Sequence, residues 1–144
     1  MAIDGGTMRI IALDVGDRTI GIAVSDELMF TAQGVETIRR TSLDRDLKRL
    51  SELMKQYETN TLLVGLPKNM DGTIGVRCEI VKAFTQEITN VIPETKIIFW
   101  DERLSTVAAS RSLIAADVSR AKRKKVIDKM AAVFILQGYL DGRS

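Results

Sequence analysis

Carboxylates stand at three places where a carboxylate needs a reason. Asp14 interrupts a nearly continuous apolar run, Ile10-Ile11-Ala12-Leu13 with Val15 beyond it. Asp101 and Glu102 follow a second run, KIIFW at Lys96–Trp100. Asp128 stands three and four residues before Ala131 and Ala132, on the helix face that those small residues would pack. A carboxylate at the end of a buried strand raises the free energy unless it is paired or holds a metal. If Asp14, Glu102 and Asp128 converge, they repel one another, and the natural neutraliser is an oxygen-loving cation, Mg²⁺ or Mn²⁺. Adjacent strand residues face opposite ways, so only one of Asp101 and Glu102 can face such an ion. The plain alternatives are that Asp14 bonds its own turn and that Asp101 caps the helix after it.

The composition narrows the chemistry. The chain has no histidine and one cysteine, Cys78. That excludes a His/Cys zinc site, Ser-His-Asp or Cys-His catalysis, and any internal disulfide. Carboxylates, Lys/Arg, hydroxyls and hard metals remain. Cys78 has no basic or metal partner in sequence and reads as a small helix residue. With 144 residues, 45% hydrophobic and 28% charged, the chain fits one domain with its own core. No apolar window of about 18 residues suggests a membrane span. MAIDGGTM lacks a basic n-region and an apolar h-region, so residues 1–7 are expected to be a disordered leader or expression remnant before a single domain over 8–144. Cysteine usage points to the cytosol and no membrane. The net charge of +2 is too small to imply a polyanion partner, so its distribution matters more.

The elements around these residues follow from periodicity and turn chemistry. RIIALDVGDRTIGIAVSD at Arg9–Asp26 predicts two strands about the turn Gly16-Asp17-Arg18-Thr19. Ala32–Ile38 is a third strand. Ser42 is a helix N-cap, although Arg45 stands where a capping-box Glu would sit. Leu43, Leu47, Leu50, Met54 and Tyr57, widened by Leu53, form one stripe of the following helix. TLLVGL at Thr61–Leu66 is a buried strand. PKNMDGTIG at Pro67–Gly75 is a loop whose Asn69, Asp71, Gly72 and Gly75 could bring backbone N–H groups to phosphate. Val76–Val91 is a second helix, with Ile80, Phe84 and Ile88 on one stripe and Pro93 beyond its end.

After the strand at Lys96–Trp100, a helix is expected from Ser105 or Thr106 through Ile114, then a loop over Ala115–Ala121. The final helix runs to about Leu140, with Val126, Met130, Val133, Phe134 and Gln137 on its stripe. The order βββαβαβαα predicts an α/β fold: a mixed five-stranded sheet with helices on both faces. Right-handed crossovers make the fourth and fifth strands parallel to the first. If the fourth strand lies beside the first, Asp14 and Glu102 share one sheet edge, and Asp128 approaches it from the last helix.

DVGDRTIGIAVSD at Asp14–Asp26, VGLPKNMDGTIG at Val64–Gly75, DERLST at Asp101–Thr106 and IDKMAAVFILQGYL at Ile127–Leu140 together resemble the YqgF (RuvX-like) family. The resemblance spans Met8–Leu140. It implies an RNase H-like fold and a metal-dependent nuclease that acts on structured nucleic acid. The substrate would be pre-16S rRNA, trimmed at its 5′ end in ribosome biogenesis, or a Holliday junction. By position it implies Asp14, Glu102 and Asp128 as catalytic and metal-binding residues, with Mg²⁺ or Mn²⁺ as cofactor. Ser105 stands where the family commonly has Thr, which keeps a hydroxyl. Hydrolysis would use one or two ions, roughly 3.5–4 Å apart in two-metal sites, with Asp14 as the central ligand.

Arg18, Lys68, Asn69 and Arg103 are candidate nucleic-acid contacts. So is the run RAKRKK, which places Arg120, Lys122, Arg123, Lys124 and Lys125 at a helix start. Cations there oppose the helix dipole, which favours binding over a merely solvated face. Seven aromatic residues, mostly in apolar stripes, favour backbone or shape recognition over base stacking. Two other classes share the features. Actin-like ATPases carry a similar phosphate turn but need two such domains. A non-catalytic nucleic-acid-binding or ribosome-assembly module could be built on a nuclease fold.

Overall fold

The computed structural model describes residues 9–69, 71–104 and 120–142, with side chains from Met130 onward in the last of these. The elements are β1 (Ile11–Val15), β2 (Thr19–Ser25), β3 (Ala32–Arg39), α1 (Leu43–Gln56), β4 (Thr61–Leu66), α2 (Val76–Val91), β5 (Lys96–Asp101), a 3-10 turn at Glu102–Leu104, and α3 (Arg120–Gly142). The expected leader, and the helix expected between Ser105 and Ile114, lie outside the described residues.

One mixed sheet has the order β3-β2-β1-β4-β5. β1 pairs antiparallel with β2 and parallel with β4, and β4 pairs parallel with β5. β1 is thus central and buried on both faces, which is why its sequence is a nearly continuous apolar run, broken only by Asp14, rather than an alternating one. Ile11, Leu13 and Val15 join the cluster under α1 and α2, with Leu47, Leu50, Leu53, Val81, Phe84 and Ile88. Ile10 and Ala12 face the other way, into a cluster with Ala23, Leu63, Ala131, Ala132, Ile135 and Leu136. Alanine on both partners lets α3 lie close against the sheet. Among the described residues no helix is long and apolar enough to cross a membrane.

Two features of α3 differ from the periodicity. The helix already includes Arg120, inside the expected loop Ala115–Ala121. Its buried stripe is Ala131, Ala132, Ile135, Leu136 and Leu140, while Met130, Val133, Phe134 and Gln137 are only half-buried. Apolar residues occupy every side of this helix, so periodicity alone does not choose a face, and close packing selects the small residues. In α1, Ser42 caps as expected, its hydroxyl accepting the Arg45 N–H at 3.3 Å. Leu43 at the helix start is 38% exposed, and Asp46 is buried instead.

Asp46 is part of a network that local sequence does not announce. Its carboxylate accepts from the Thr41 N–H at 3.3 Å and lies 3.5 Å from Arg40 Nε. Arg40 Nη1 donates to the Gly16 carbonyl at 2.8 Å, and its guanidinium covers the Phe84 ring at 4.9 Å. One arginine therefore ties the β1–β2 turn, α1 and α2 together.

A candidate acidic site at the carboxyl ends of β1 and β5

The carboxyl ends of the parallel strands β1, β4 and β5 form one rim, where open α/β sheets place ligands. Asp14 is opposite Gly21 of β2. The β1–β4 register, Leu13 to Val64, continues by one residue to set Gly65 beside Asp14. Gly65 in turn pairs with Trp100 of β5, two residues before Glu102. Two inter-strand gaps of about 4.8 Å therefore separate the Asp14 and Trp100 backbones, about 10 Å in all, and Glu102 follows two residues beyond Trp100. Strand alternation puts Asp14 on the α3 face with Ile10 and Ala12. Glu102 reaches the same face: a Cβ at Gly65 would stand 2.8 Å from Glu102 Oε2 and 2.6 Å from Ile135 Cδ1. The missing side chain at Gly65 is the space in which Glu102 and Ile135 lie. Asp14 and Glu102 are each 8% exposed.

Asp128 is reached through the helix. Gln137 anchors α3 to the β2–β3 connection: its Oε1 accepts the Ala32 N–H at 2.9 Å, and its Nε2 donates to the Phe30 carbonyl at 3.0 Å. That connection lies at the end of the sheet where β1 begins. Ile135 then lies over Gly65, so the helix runs backward from there toward the acidic rim. Position 128 falls on the stripe of 131, 132 and 135, two turns earlier, and its side chain is outside the described residues. Among those residues no cluster of three metal-ligating side chains occurs. Two buried oxygen donors on one face nevertheless suit a hard divalent cation better than a soft one.

Asp101 takes the other direction, as strand alternation requires. Its Oδ1 accepts the Arg103 N–H at 3.0 Å, and its Oδ2 accepts from Arg103 Nη2 at 2.7 Å. The Arg103 guanidinium, with Lys68 nearby, holds its carboxyl below the usual carboxylate range. Asp101 thus caps the 3-10 turn at Glu102–Leu104.

In loop 67–75, two of the four residues considered for phosphate use their backbone N–H groups inside the loop: Asn69 N–H donates to the Thr73 carbonyl at 3.0 Å, and Gly72 N–H to the Asn69 carbonyl at 2.8 Å. Thr73 N–H donates to Asp71 Oδ1 at 2.9 Å, and the Asn69 amide donates to Thr73 Oγ1 at 2.9 Å. The Thr73 hydroxyl and N–H hold the Asp71 carboxyl below its ordinary range. These amides stabilise the loop rather than cradle phosphate. Lys68 is half-buried at the foot of the loop, and Arg18 is exposed on the β1–β2 turn at the same rim as Asp14. The backbone of the basic run Arg120–Lys125 opens α3, and its side chains lie outside the described residues. Cys78 is buried. Sequence reasoning missed Gly65 and Arg40. A glycine between two strand ends bearing acids was the available signal for the first.

The architecture is that of the RNase H-fold resolvases. The Thermus thermophilus RuvC bound to a Holliday junction substrate superposes with a TM-score of 0.58 at 12% identity, covering 94% of this chain and 95% of that one. The fowlpox virus Holliday junction resolvase gives 0.55 at 16%, over 95% and 100%. A family model described as RuvX, Holliday junction resolvase, matches residues 8–142, and the chain belongs to that family. A Desulforamulus reducens relative is 58% identical over 134 residues, 93% of this chain and 97% of its own length. One from Staphylococcus carnosus is 53% identical over 137 residues, 94% and 96%. Both bear the name "Putative pre-16S rRNA nuclease".

Proposed function

We propose that this protein is a cytoplasmic nuclease that hydrolyses phosphodiester bonds in precursor 16S rRNA, with Mg²⁺ or Mn²⁺ held by Asp14, Glu102 and Asp128. The observation that carries the reading is the pair of buried carboxylates, Asp14 and Glu102, brought to one face of the sheet end across Gly65. Asp14 is the central ligand, since β1 is the most enclosed strand. Glu102 and Asp128 flank it. When bound, such an ion polarises phosphoryl oxygen and acidifies water. The chain's own contribution is to hold carboxylate oxygens in a fixed, largely dry place, so no reorganisation is needed at reaction. Arg18, Lys68, Arg120, Lys122, Arg123, Lys124 and Lys125 supply phosphate contacts around it. Asn69 and Arg103 are committed to bonds within the protein and are assigned a supporting part.

A second reading, a four-way DNA junction as substrate, is favoured by the full-length likeness in fold to two resolvases. Side-by-side cleavage of a precursor 16S rRNA fragment and a synthetic DNA junction, each with Mg²⁺ and with Mn²⁺, separates the two. Asp14→Asn is expected to abolish cleavage of the true substrate while retaining the fold and most nucleic-acid affinity. Wild-type rates in that variant would sink the site assignment. Binding without cleavage of either substrate would favour the non-catalytic module.

A further inference from the structure

The three residues Asp101-Glu102-Arg103 divide their side chains between two sides of the sheet end. Glu102 lies over Gly65 on the α3 side. Asp101 and Arg103 meet on the other side, in an ion pair of 2.7 Å. Arg103 Nε also lies 3.1 Å from both Asp101 oxygens. The Arg103 N–H bond to Asp101 Oδ1 closes a turn with Glu102 at its corner. The backbone at Glu102 is therefore set by a carboxylate that faces away from the proposed metal. The guanidinium also touches loop 67–75. A Cβ at Gly72 would stand 3.2 Å from Arg103 Nη1, and Gly72 has φ +88°, a conformation that glycine adopts without strain. Asp71 of the same loop lies close enough to Arg103 for each to favour the charged form of the other.

We infer that Asp101 and Arg103 are positioning residues, a clamp that fixes the Glu102 carboxylate from behind and locks loop 67–75 to it. The inference rests on the nuclease reading of Asp14 and Glu102. It assigns Arg103 a role distinct from a phosphate contact. An arginine in a bidentate fork with a carboxylate has its geometry decided by that partner, and lysine cannot replace the fork.

Four variants test it: Asp101→Ala, Asp101→Asn, Arg103→Lys and Arg103→Gln. Asp101→Asn keeps an oxygen that closes the turn and guards against a variant that merely unfolds. Asp101→Ala, Arg103→Lys and Arg103→Gln should each lower kcat about tenfold or more with KM nearly unchanged, and Asp101→Asn should recover part of the loss. Arg103→Gln should leave nucleic-acid affinity and its salt dependence as in wild type. If Arg103 binds phosphate instead, the slope of log K against log salt falls by roughly 0.9 and KM rises, and the clamp is overturned. Hydrogen exchange gives a readout independent of cleavage. In Arg103→Gln the amides of Asn69 and Gly72 should exchange about tenfold faster, with those of Leu63 and Val64 unchanged. Unaltered exchange in the loop also overturns the clamp. Should wild type cleave no substrate, the exchange result still decides the coupling, while the nuclease reading fails by itself.

Discussion

Gly65 carries no functional group, yet it decides whether Glu102 fits. In Gly65→Ala the new methyl meets Ile135 Cδ1 and Glu102 Oε2, both under 3 Å, so something must move. Both atoms are ends of side chains, so the adjustment falls on them rather than on the strands. Overpacking of this kind costs about 1–3 kcal/mol, which for a domain near 150 residues is several degrees of melting temperature at roughly 2–4 °C per kcal/mol. The displaced carboxylate should cost more activity than the melt alone explains. Thermal melts and cleavage rates measured on the same preparation check this, and a normal rate would show that Glu102 is not set there. Asp14→Asn tests the metal from the other side. An ion that binds only the folded state stabilises it by about 2.7 kcal/mol at a hundred times Kd. Millimolar Mg²⁺ or Mn²⁺ should therefore raise the wild-type melting temperature and shift Asp14→Asn far less.

At the scale of elements, α3 carries position 128 of the site, and Gln137 ties the helix to the β2–β3 connection. Gln137→Ala strands the half-buried Ala32 N–H, a loss of about 1–3 kcal/mol for a fully buried donor. Partial exposure puts this case near the lower end. The expected outcome is a small fall in melting temperature with a larger fall in cleavage, because the register of α3 carries position 128. A variant that melts and cleaves like wild type would show that the anchor lies elsewhere. The start of α3 gives the opposite signs. Replacing Lys122, Arg123, Lys124 and Lys125 with Ala removes cations from a helix N-terminus, where they oppose the dipole. Stability should hold or rise slightly. Affinity should fall, with the salt slope reduced by roughly 0.9 per lost contact on duplex or 0.7 on single strands. An unchanged slope would reduce the run to a solvated face.

For the whole molecule, charge pairing sets the acid limb of stability. Glu36 on β3 receives the fork of Arg49 on α1, Nη2 to Oε1 at 2.6 Å and Nε to Oε2 at 2.9 Å. Arg49 holds the Glu36 carboxyl below its usual range. The folded state thus releases this proton more readily than the unfolded chain does. Its stabilisation is complete above the unfolded carboxylate pKa and is lost as pH falls through the lower folded value. Both side chains are about one-third exposed, 31% and 40%, so solvent screening keeps the pair to about 1 kcal/mol or less. Glu36→Gln should therefore melt slightly below wild type at neutral pH, and the gap should close on acidification below about pH 4. A gap that stays constant with pH would mean the lost contact is steric. Asp26, held low chiefly by the Thr31 N–H, shifts in the same direction, as do Asp71 and Asp101.

The amino-acid sequence by itself determined the strands, their order of appearance and the sense of their crossovers. Apolar runs and turn residues act over a few neighbours, and the right-handed crossover rule leaves few ways to join them. It also determined that acids end two of those strands, and the family motifs are local strings of the same kind. Tertiary structure decided what depends on distant partners. Glu102 rather than Asp101 faces α3 because the bond to Arg103 and the hollow at Gly65 fix opposite sides of the sheet end. The buried stripe of α3 was chosen by fit against Ala12 and Ala23, not by periodicity. The Asn69, Gly72 and Thr73 amides of loop 67–75 are consumed by bonds that its glycine content alone does not reveal. Arg40 binds three elements, and Gln137 an amide 105 residues away, because folding brings those groups within hydrogen-bond range. Side-chain chemistry can be read along the chain. Which groups meet is set by the packing of α-helices on the two faces of one sheet.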